Sequence, residues 1–186
     1  MSIRPVSHRY FFAIRPDDRT AHRTHGFAES TLGPVGLMSP DRLHVTLAIS
    51  GDFDVPQPTL VEALLRAGAT VRARPFDLML DRLSTSPRSI ALRPARVMPD
   101  LSALNAAIVG AMTREGIALR EGWRFSPHMT LGYRPRRPSV QPVQEIGWPV
   151  TEFALVHSLV GLTRHELLGR WPLKPLPEAQ LSLFAA

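Results

Sequence analysis

Two short stretches of the chain repeat one pattern of apolar and polar positions. Residues 43–49 read Leu-His-Val-Thr-Leu-Ala-Ile, and residues 127–131 read Pro-His-Met-Thr-Leu. Because the side chains of a β-strand point alternately to its two faces, the histidine and threonine of each stretch share one face and the apolar residues take the other. The pattern predicts two strands, each presenting a histidine and a threonine about 6.6 Å apart along the strand.

The rest of the hydrophobic pattern predicts three helices and several further strands. Apolar residues at helical spacing, with Asp or Pro at the start, predict helices over residues 17–32, 58–68 and 99–116. Segments rich in β-prone residues predict strands over residues 8–15, 76–83, 90–93, 150–160 and 167–173, besides 43–49 and 125–133. We expect a turn at 161–166 and an exposed, mobile loop at 135–142. Many strands with few helices favour an α+β fold with antiparallel sheets over a doubly wound parallel sheet.

Length and composition limit the class of protein. A chain of 186 residues can bury a substantial core as one domain or one bilobal unit. It contains no cysteine, which excludes disulfides and thiolate metal sites. No apolar run approaches the ~18 residues of a membrane span, and the first seven residues lack the apolar region of a signal peptide. We therefore expect a cytoplasmic monomer with no membrane partner.

The charge balance is compatible with a phosphate ligand but does not establish one. The net charge is +6, and Lys174 is the only lysine among 22 basic residues. Arginine binds phosphate oxygens through two parallel hydrogen bonds. However, heavy use of arginine also follows from genomic base composition, and the basic residues do not form a continuous block.

The repeated histidines indicate acid–base chemistry. A single histidine on an apolar strand is usually structural, but the same frame occurs twice here. Imidazole titrates near ~6.5, so one of His44 and His128 can accept a proton from water while the other donates one to a leaving oxygen. The hydroxyls of Thr46 and Thr130 are suited to the non-bridging oxygens of a phosphate. This set of groups predicts phosphodiester chemistry that needs no metal.

Other patterns are weaker. His22 and His25 have helical spacing, but no carboxylate or thiol completes a metal site. His165-Glu166 lacks the second histidine of a zinc-protease motif, because Gly169 stands there. We therefore expect no metal and no cofactor. Some aromatic residues are candidates for stacking on a nucleic-acid base, although a core position is the usual alternative: Phe11, Phe12, Phe125 and Tyr133. Trp148 and Trp171 are expected in the core.

The two motifs resemble a known signature. His44-Val45-Thr46-Leu47 and His128-Met129-Thr130-Leu131 are similar to the paired motifs of the two-histidine (2H) phosphoesterases. Within that superfamily the chain resembles the LigT-like family of bacterial RNA 2′,3′-cyclic phosphodiesterases, also called 2′-5′ RNA ligases. The resemblance extends to the segments 10–16, 43–52, 125–127, 148–153 and 170–173.

The resemblance implies a fold and a reaction. The fold is a single bilobal domain over residues 1–186, with one His-x-Thr motif in each of two pseudo-symmetric antiparallel sheets, flanking helices and a central cleft. Thr46 and Thr130 would hold the phosphate, His128 would activate water, and His44 would protonate the departing 3′-oxygen to leave a 2′-phosphate. The partner is an RNA or nucleotide with a 2′,3′-cyclic phosphate end. In the reverse direction the same groups join a 5′-hydroxyl to the cyclic phosphate through a 2′-5′ linkage.

The chain departs from the family pattern after the second motif. Many relatives have an arginine five residues after the second histidine, where this chain has Tyr133. Regular strand alternation places Arg134 on the face of His128 and Thr130, which predicts that Arg134 binds the phosphate. Alternatively, a bulge after Leu131 gives Tyr133 the position that relatives give to arginine.

Two other functions remain open from the sequence. One is a 2H phosphodiesterase for another small cyclic or 2′-5′ phosphodiester. The other is a catalytically idle protein that binds RNA ends. The presence of both histidines and both threonines favours an enzyme, because a binding protein has no use for two proton carriers.

Overall fold

A computed structural model describes residues 6–174, which form three helices and eight strands. The helices are α1 (Asp18–Leu32), α2 (Pro58–Thr70) and α3 (Pro99–Arg114). The strands are β1 (Ser7–Ile14), β2 (Val45–Phe53), β3 (Phe76–Thr85), β4 (Ile90–Arg93), β5 (Met129–Gly132), β6 (Ser139–Val150), β7 (Glu152–Val160) and β8 (Arg164–Pro172). The ends of the expected domain, residues 1 and 186, lie outside the described residues.

The eight strands form one antiparallel sheet in the order β6-β3-β4-β5-β2-β1-β7-β8. The predicted α+β class is confirmed, but the prediction of two separate sheets is wrong. The two halves of the sheet, β6-β3-β4-β5 and β2-β1-β7-β8, join where Val45 of β2 pairs with Met129 of β5. Both residues directly follow a motif histidine, so the junction of the two halves carries both motifs.

The helices begin where the sequence indicates. The carboxylate of Asp17 accepts a hydrogen bond from the backbone N–H of Thr20 at 2.8 Å and caps α1, which is the usual function of Asp at this position. Pro58 and Pro99 occupy the first turns of α2 and α3, where the missing N–H of proline costs nothing. Most apolar residues at helical spacing in α3 are buried: Leu101, Leu104, Ile108, Ala111 and Met112.

The alternation of β1 separates two faces of the sheet. Tyr10, Phe12 and Ile14 are buried in the main core, together with apolar residues of all three helices. Phe11 and Ala13 point the other way, into a small cluster with Ile49 and Val156. The face opposite the main core is therefore free to form a functional surface.

The two tryptophans expected in the core differ in burial. Trp148 is 5% exposed and belongs to the main core, as predicted. Trp171 is half-buried and packs against that core, with its ring stacked on Phe153 at a centroid distance of 5.2 Å.

The strand prediction failed at β6. An exposed loop was expected over residues 135–142, but the strand begins at Ser139 and pairs with β3. β6 is an edge strand whose first half is largely exposed, and it contains Pro142 and Pro149. Proline is tolerated on edge strands, and the exposed first half of β6 lacks the alternating apolar pattern that marks its second half.

Candidate active site

The two motif histidines are held in the same way. Each lies immediately before its strand, and its Nδ1 donates to the carbonyl oxygen two residues earlier: His44 to Arg42 and His128 to Ser126, both at 2.7 Å. A carbonyl only accepts hydrogen bonds, so the proton is assigned to Nδ1 in each ring. Nε2 of both rings is therefore available to exchange a proton with a bound molecule.

Both histidines and both motif threonines line one cleft of about 590 Å³. Val45 and Leu47 alternate with the polar residues of the first motif and are fully buried in the main core. The same alternation directs His44 and Thr46 away from that core. The four residues singled out by the sequence pattern, His44, Thr46, His128 and Thr130, are thus brought together in space.

Burial lowers the pKa of both motif histidines. Loss of solvent is the largest cause that lowers the pKa of His44, to about 4, and the positive potentials of His165, His128 and Arg15 lower it further. The bond to the Arg42 carbonyl acts in the opposite direction. The pKa of His128 is also lowered, by burial and then by the charge of Arg93, against the bond to Ser126. An anion bound between the rings favours their charged forms and raises both pKa values.

A third histidine, His165, lies in the same cleft. Its ring packs edge-on against His44 at a centroid distance of 5.4 Å, and Phe11 stacks on His44 at 4.8 Å. Burial lowers the pKa of His165 to about 4, and Arg42 and Arg15 contribute to the shift. In the sequence His165 was considered only as part of an incomplete zinc motif. Its place in the cleft follows from the pairing of β8 with β7, where it lies opposite Ser158, and no local signal predicts it.

Arg9 lines the cleft and is paired with a carboxylate. Its guanidinium donates two hydrogen bonds to the carboxylate of Asp52, and Arg120 lies 3.2 Å from the same carboxylate. These contacts lower the pKa of Asp52. The sequence identified Asp52 only as the end of the first motif, so this charge cluster was missed.

Arg134 does not line the cleft. Its Nη2 donates to the carbonyl of Leu32 at 2.7 Å, at the end of α1, and the same nitrogen lies 3.5 Å from the carbonyl of Gly33. The expected position of Arg134 on the cleft face is therefore corrected. The physical reason lies in β5. Ile90 pairs with Gly132 and Ala91 with Thr130, so Leu131 is an extra residue on β5. Such a bulge reverses the faces of the residues that follow it.

The bulge gives Tyr133 a place in the cleft, with 66% of the residue exposed. Of the other stacking candidates, Phe11 lines the cleft, whereas Phe12 is fully buried in the main core. Phe125 packs against the main core and lies near Trp123, at a centroid distance of 6.4 Å. Phe11 and Tyr133 are the two aromatic candidates that the structure brings to the motifs.

A family model matches most of the chain. The model for the 2′-5′ RNA ligase superfamily matches residues 16–161, a span that contains both motifs and most of the sheet. The chain belongs to the 2′-5′ RNA ligase superfamily. The family indicated by the two His-x-Thr motifs is thereby confirmed.

Solved structures agree with membership of the superfamily. Escherichia coli LigT complexed with 3′-AMP is 27% identical, with a TM-score of 0.74 over 91% of this chain and 99% of LigT. A structure described as a phosphoesterase is also 27% identical, with a TM-score of 0.74 over 90% and 99% of the two chains. The protein TT0787 of Thermus thermophilus, at 20% identity and a TM-score of 0.69 over 89% and 97%, shares the fold. No curated protein sequence matches the chain.

Three further observations concern this member of the superfamily. Within residues 6–174, no three His, Cys, Asp or Glu side chains come close enough together to hold a metal ion. His25, one of the two helical histidines, bonds through Nδ1 to the carbonyl of Met38 at 2.9 Å and so ties α1 to the following loop. None of the helices in the described part of the chain has the length and apolarity to cross a membrane.

Proposed function

We propose that the protein hydrolyses RNA 2′,3′-cyclic phosphate ends to 2′-phosphates, using His44 and His128 as an acid–base pair and no metal. The observation that carries the proposal is the matched geometry of the two rings. Each is fixed through Nδ1 to a backbone carbonyl, each lines the same cleft, and Nε2 of each remains available to a bound molecule. Two general acid–base groups are what in-line displacement at phosphorus needs, one for the attacking oxygen and one for the leaving oxygen.

In the proposed step, Nε2 of His128 takes a proton from water as the water oxygen bonds to phosphorus. The bond from phosphorus to the 3′-oxygen breaks, and protonated His44 gives its Nε2 proton to that oxygen. The hydroxyls of Thr46 and Thr130 hold the non-bridging oxygens and fix the phosphate between the rings. His128 ends protonated and His44 neutral, so exchange with solvent restores the starting state. The reverse step, with a 5′-hydroxyl in place of water, forms a 2′-5′ linkage.

The lowered pKa of His44 defines when it becomes an acid. In the free protein the ring is neutral at pH 7, since its pKa is about 4. The negative phosphate raises that pKa on binding, so proton uptake accompanies substrate binding. The solved structures of E. coli LigT contain 3′-AMP, ATP or NADP+, which supports a nucleotide as the ligand of this cleft.

The test is a product analysis in the presence of EDTA. An oligonucleotide ending in a 2′,3′-cyclic phosphate is incubated with the purified protein, and the phosphate isomer is identified. We expect the 2′-phosphate, formed at the same rate with and without EDTA. A 3′-phosphate product, or activity that disappears on chelation and returns with one metal, contradicts the proposal. Tight binding without turnover indicates an RNA-end-binding protein instead.

A further inference from the structure

A smaller cavity adjoins the cleft beside His44. It encloses about 190 Å³ and shares His44 and His165 with the cleft. Arg15 lines the smaller cavity and Arg42 lines the cleft. Two arginines thus approach one histidine from two adjoining spaces, next to a ring that we assign to catalysis. Asp41 also lines the smaller cavity.

Neither arginine is neutralised. Among the described residues, the ion pairs include neither Arg15 nor Arg42. Arg15 donates to a neutral group, the backbone carbonyl of Asp41. Nε of Arg42 is buried and has no hydrogen-bond partner in the described part of the chain. This differs from Arg9 in the same cleft, which is paired with Asp52.

A buried guanidinium N–H without an acceptor is unfavourable, and native structures rarely leave one. Nε of Arg134 is also buried without a partner, but Arg134 lines neither cavity, whereas Arg42 lines the cleft. An anionic ligand with several acceptor oxygens removes this cost and neutralises the charge. The environment of His165 is consistent with such a ligand. The charges of Arg42 and Arg15 both lower the pKa of His165, so both guanidinium groups lie near this ring. The carboxylate of Asp41 opposes them as the smallest of the four causes.

We propose that Arg15, Arg42 and His165 form a second phosphate subsite beside His44, and that the substrate therefore carries two phosphate groups. One is the cyclic phosphate at the two motifs. The other is either the phosphodiester to the neighbouring nucleotide or a 5′-phosphate on the terminal nucleotide. The inference rests on the proposed function, since it takes the cyclic phosphate as the ligand of the motifs. Neutral His165 donates an N–H to the second phosphate, and the two guanidinium groups supply the charge.

The first test compares kcat/KM for three substrates. These are a nucleoside 2′,3′-cyclic phosphate, its 5′-phosphorylated form, and a dinucleotide with a cyclic end. We expect the wild-type protein to prefer at least one of the two substrates that carry a second phosphate. The preferred one identifies the source of that phosphate. Arg15→Gln should reduce this preference about tenfold or more, since hydrogen bonds to charged groups are strong, and Arg15→Lys should reduce it less.

Arg66→Gln is the matched control. It removes the same charge from α2, where Arg66 is paired with Glu115 outside the cleft, so the preference should not change. A preference that is the same in Arg15→Gln and wild type overturns the subsite and leaves the proposed function intact. So does a wild-type protein that opens all three substrates equally.

A second measurement separates the two proposals if no substrate turns over. Calorimetry compares the Kd of a nucleoside 2′-monophosphate with that of the corresponding 2′,5′-bisphosphate. The extra phosphate should tighten binding to the wild-type protein more than to the Arg15→Gln variant. Equal tightening in both proteins overturns the subsite whatever the result for turnover.

Discussion

His44 and His128 are each fixed by one backbone carbonyl and are partly buried in the cleft. The carbonyl selects the tautomer with the proton on Nδ1, and burial disfavours the charged form. The carbonyls belong to Arg42 and Ser126, two residues before each ring, and their bonds raise the pKa against the larger effect of burial. The two rings therefore share one tautomer and a lowered pKa in the free protein, and the substrate must supply the difference between them.

The first prediction concerns pH. Hydrolysis needs one ring protonated and the other neutral, and kcat/KM reports the pKa values of the free protein. Because both pKa values are lowered, to about 4 for His44, both limbs of the kcat/KM profile should lie below ~6.5, the ordinary value for histidine. The kcat profile should be displaced to higher pH, since bound phosphate raises the pKa of both rings. The measurement is the pH dependence of the two constants. A kcat/KM that rises through neutral pH contradicts this explanation.

The second prediction separates Arg134 from Tyr133. Arg134→Ala removes a charged donor from the carbonyls that end α1, so it should lower the free energy of unfolding by about 1–3 kcal/mol. It should leave kcat/KM within a few-fold of wild type.

Tyr133→Ala should raise KM with little loss of stability, since the exposed ring lines the cleft and base stacking is worth ~1–3 kcal/mol. Thermal unfolding measures the stability of both variants, and steady-state kinetics measures their KM and kcat/KM. Unchanged stability together with a loss of one or two decades in kcat/KM for Arg134→Ala would restore Arg134 as a phosphate ligand.

At the scale of elements, the boundaries and bulges of the strands depend on strand pairing, which the sequence pattern does not show. The period-two pattern identified both motif strands, but each begins one residue after its histidine, at Val45 and at Met129. The bulge at Leu131 depends on the pairing of β5 with β4, and sequence alternation cannot reveal it. For this reason regular alternation placed Arg134 on the wrong face. The first half of β6 was missed because it is an exposed edge, whereas Ile146, Trp148 and Val150 in its second half alternate into the main core.

The third prediction uses two helical glycines as a matched pair. A methyl group added at Gly68 in α2 would lie 2.5 Å from the ring of Trp171 in β8, whereas one at Gly26 in α1 meets no atom within 4 Å. Gly68→Ala should therefore destabilise the protein by about 1–3 kcal/mol, because the ring must move. Gly26→Ala should stabilise it by roughly 0.5–1 kcal/mol through helix propensity.

Chemical denaturation of the two variants measures both effects. The expected result is opposite signs at two positions that carry the same substitution. If Gly68→Ala is as stable as Gly26→Ala, α2 does not pack on Trp171 as described.

At the scale of the whole molecule, one ladder connection joins the two halves of the sheet. Val45 and Met129 pair directly after His44 and His128, so the connection between the halves also sets the separation of the two rings. The sequence predicted the four motif residues and the family, because each motif is local and repeated. It did not predict Arg15, Arg42 or His165 as neighbours of His44. Arg15 reaches His44 through the pairing of β1 with β2, and His165 reaches it through the pairing of β8 with β7.

The central claim is that His44 and His128 act as one acid–base pair. Its most direct test is the kcat/KM for opening a 2′,3′-cyclic phosphate by His44→Ala, His128→Ala and the double variant. The control is His22→Ala, which alters an exposed histidine on α1. Each single variant should lose about 10²–10⁴-fold, and the double variant should lose less than the product of the two, because the groups act as a unit. His22→Ala should match wild type. A folded His44→Ala or His128→Ala protein that keeps its rate within a few-fold of wild type contradicts the claim.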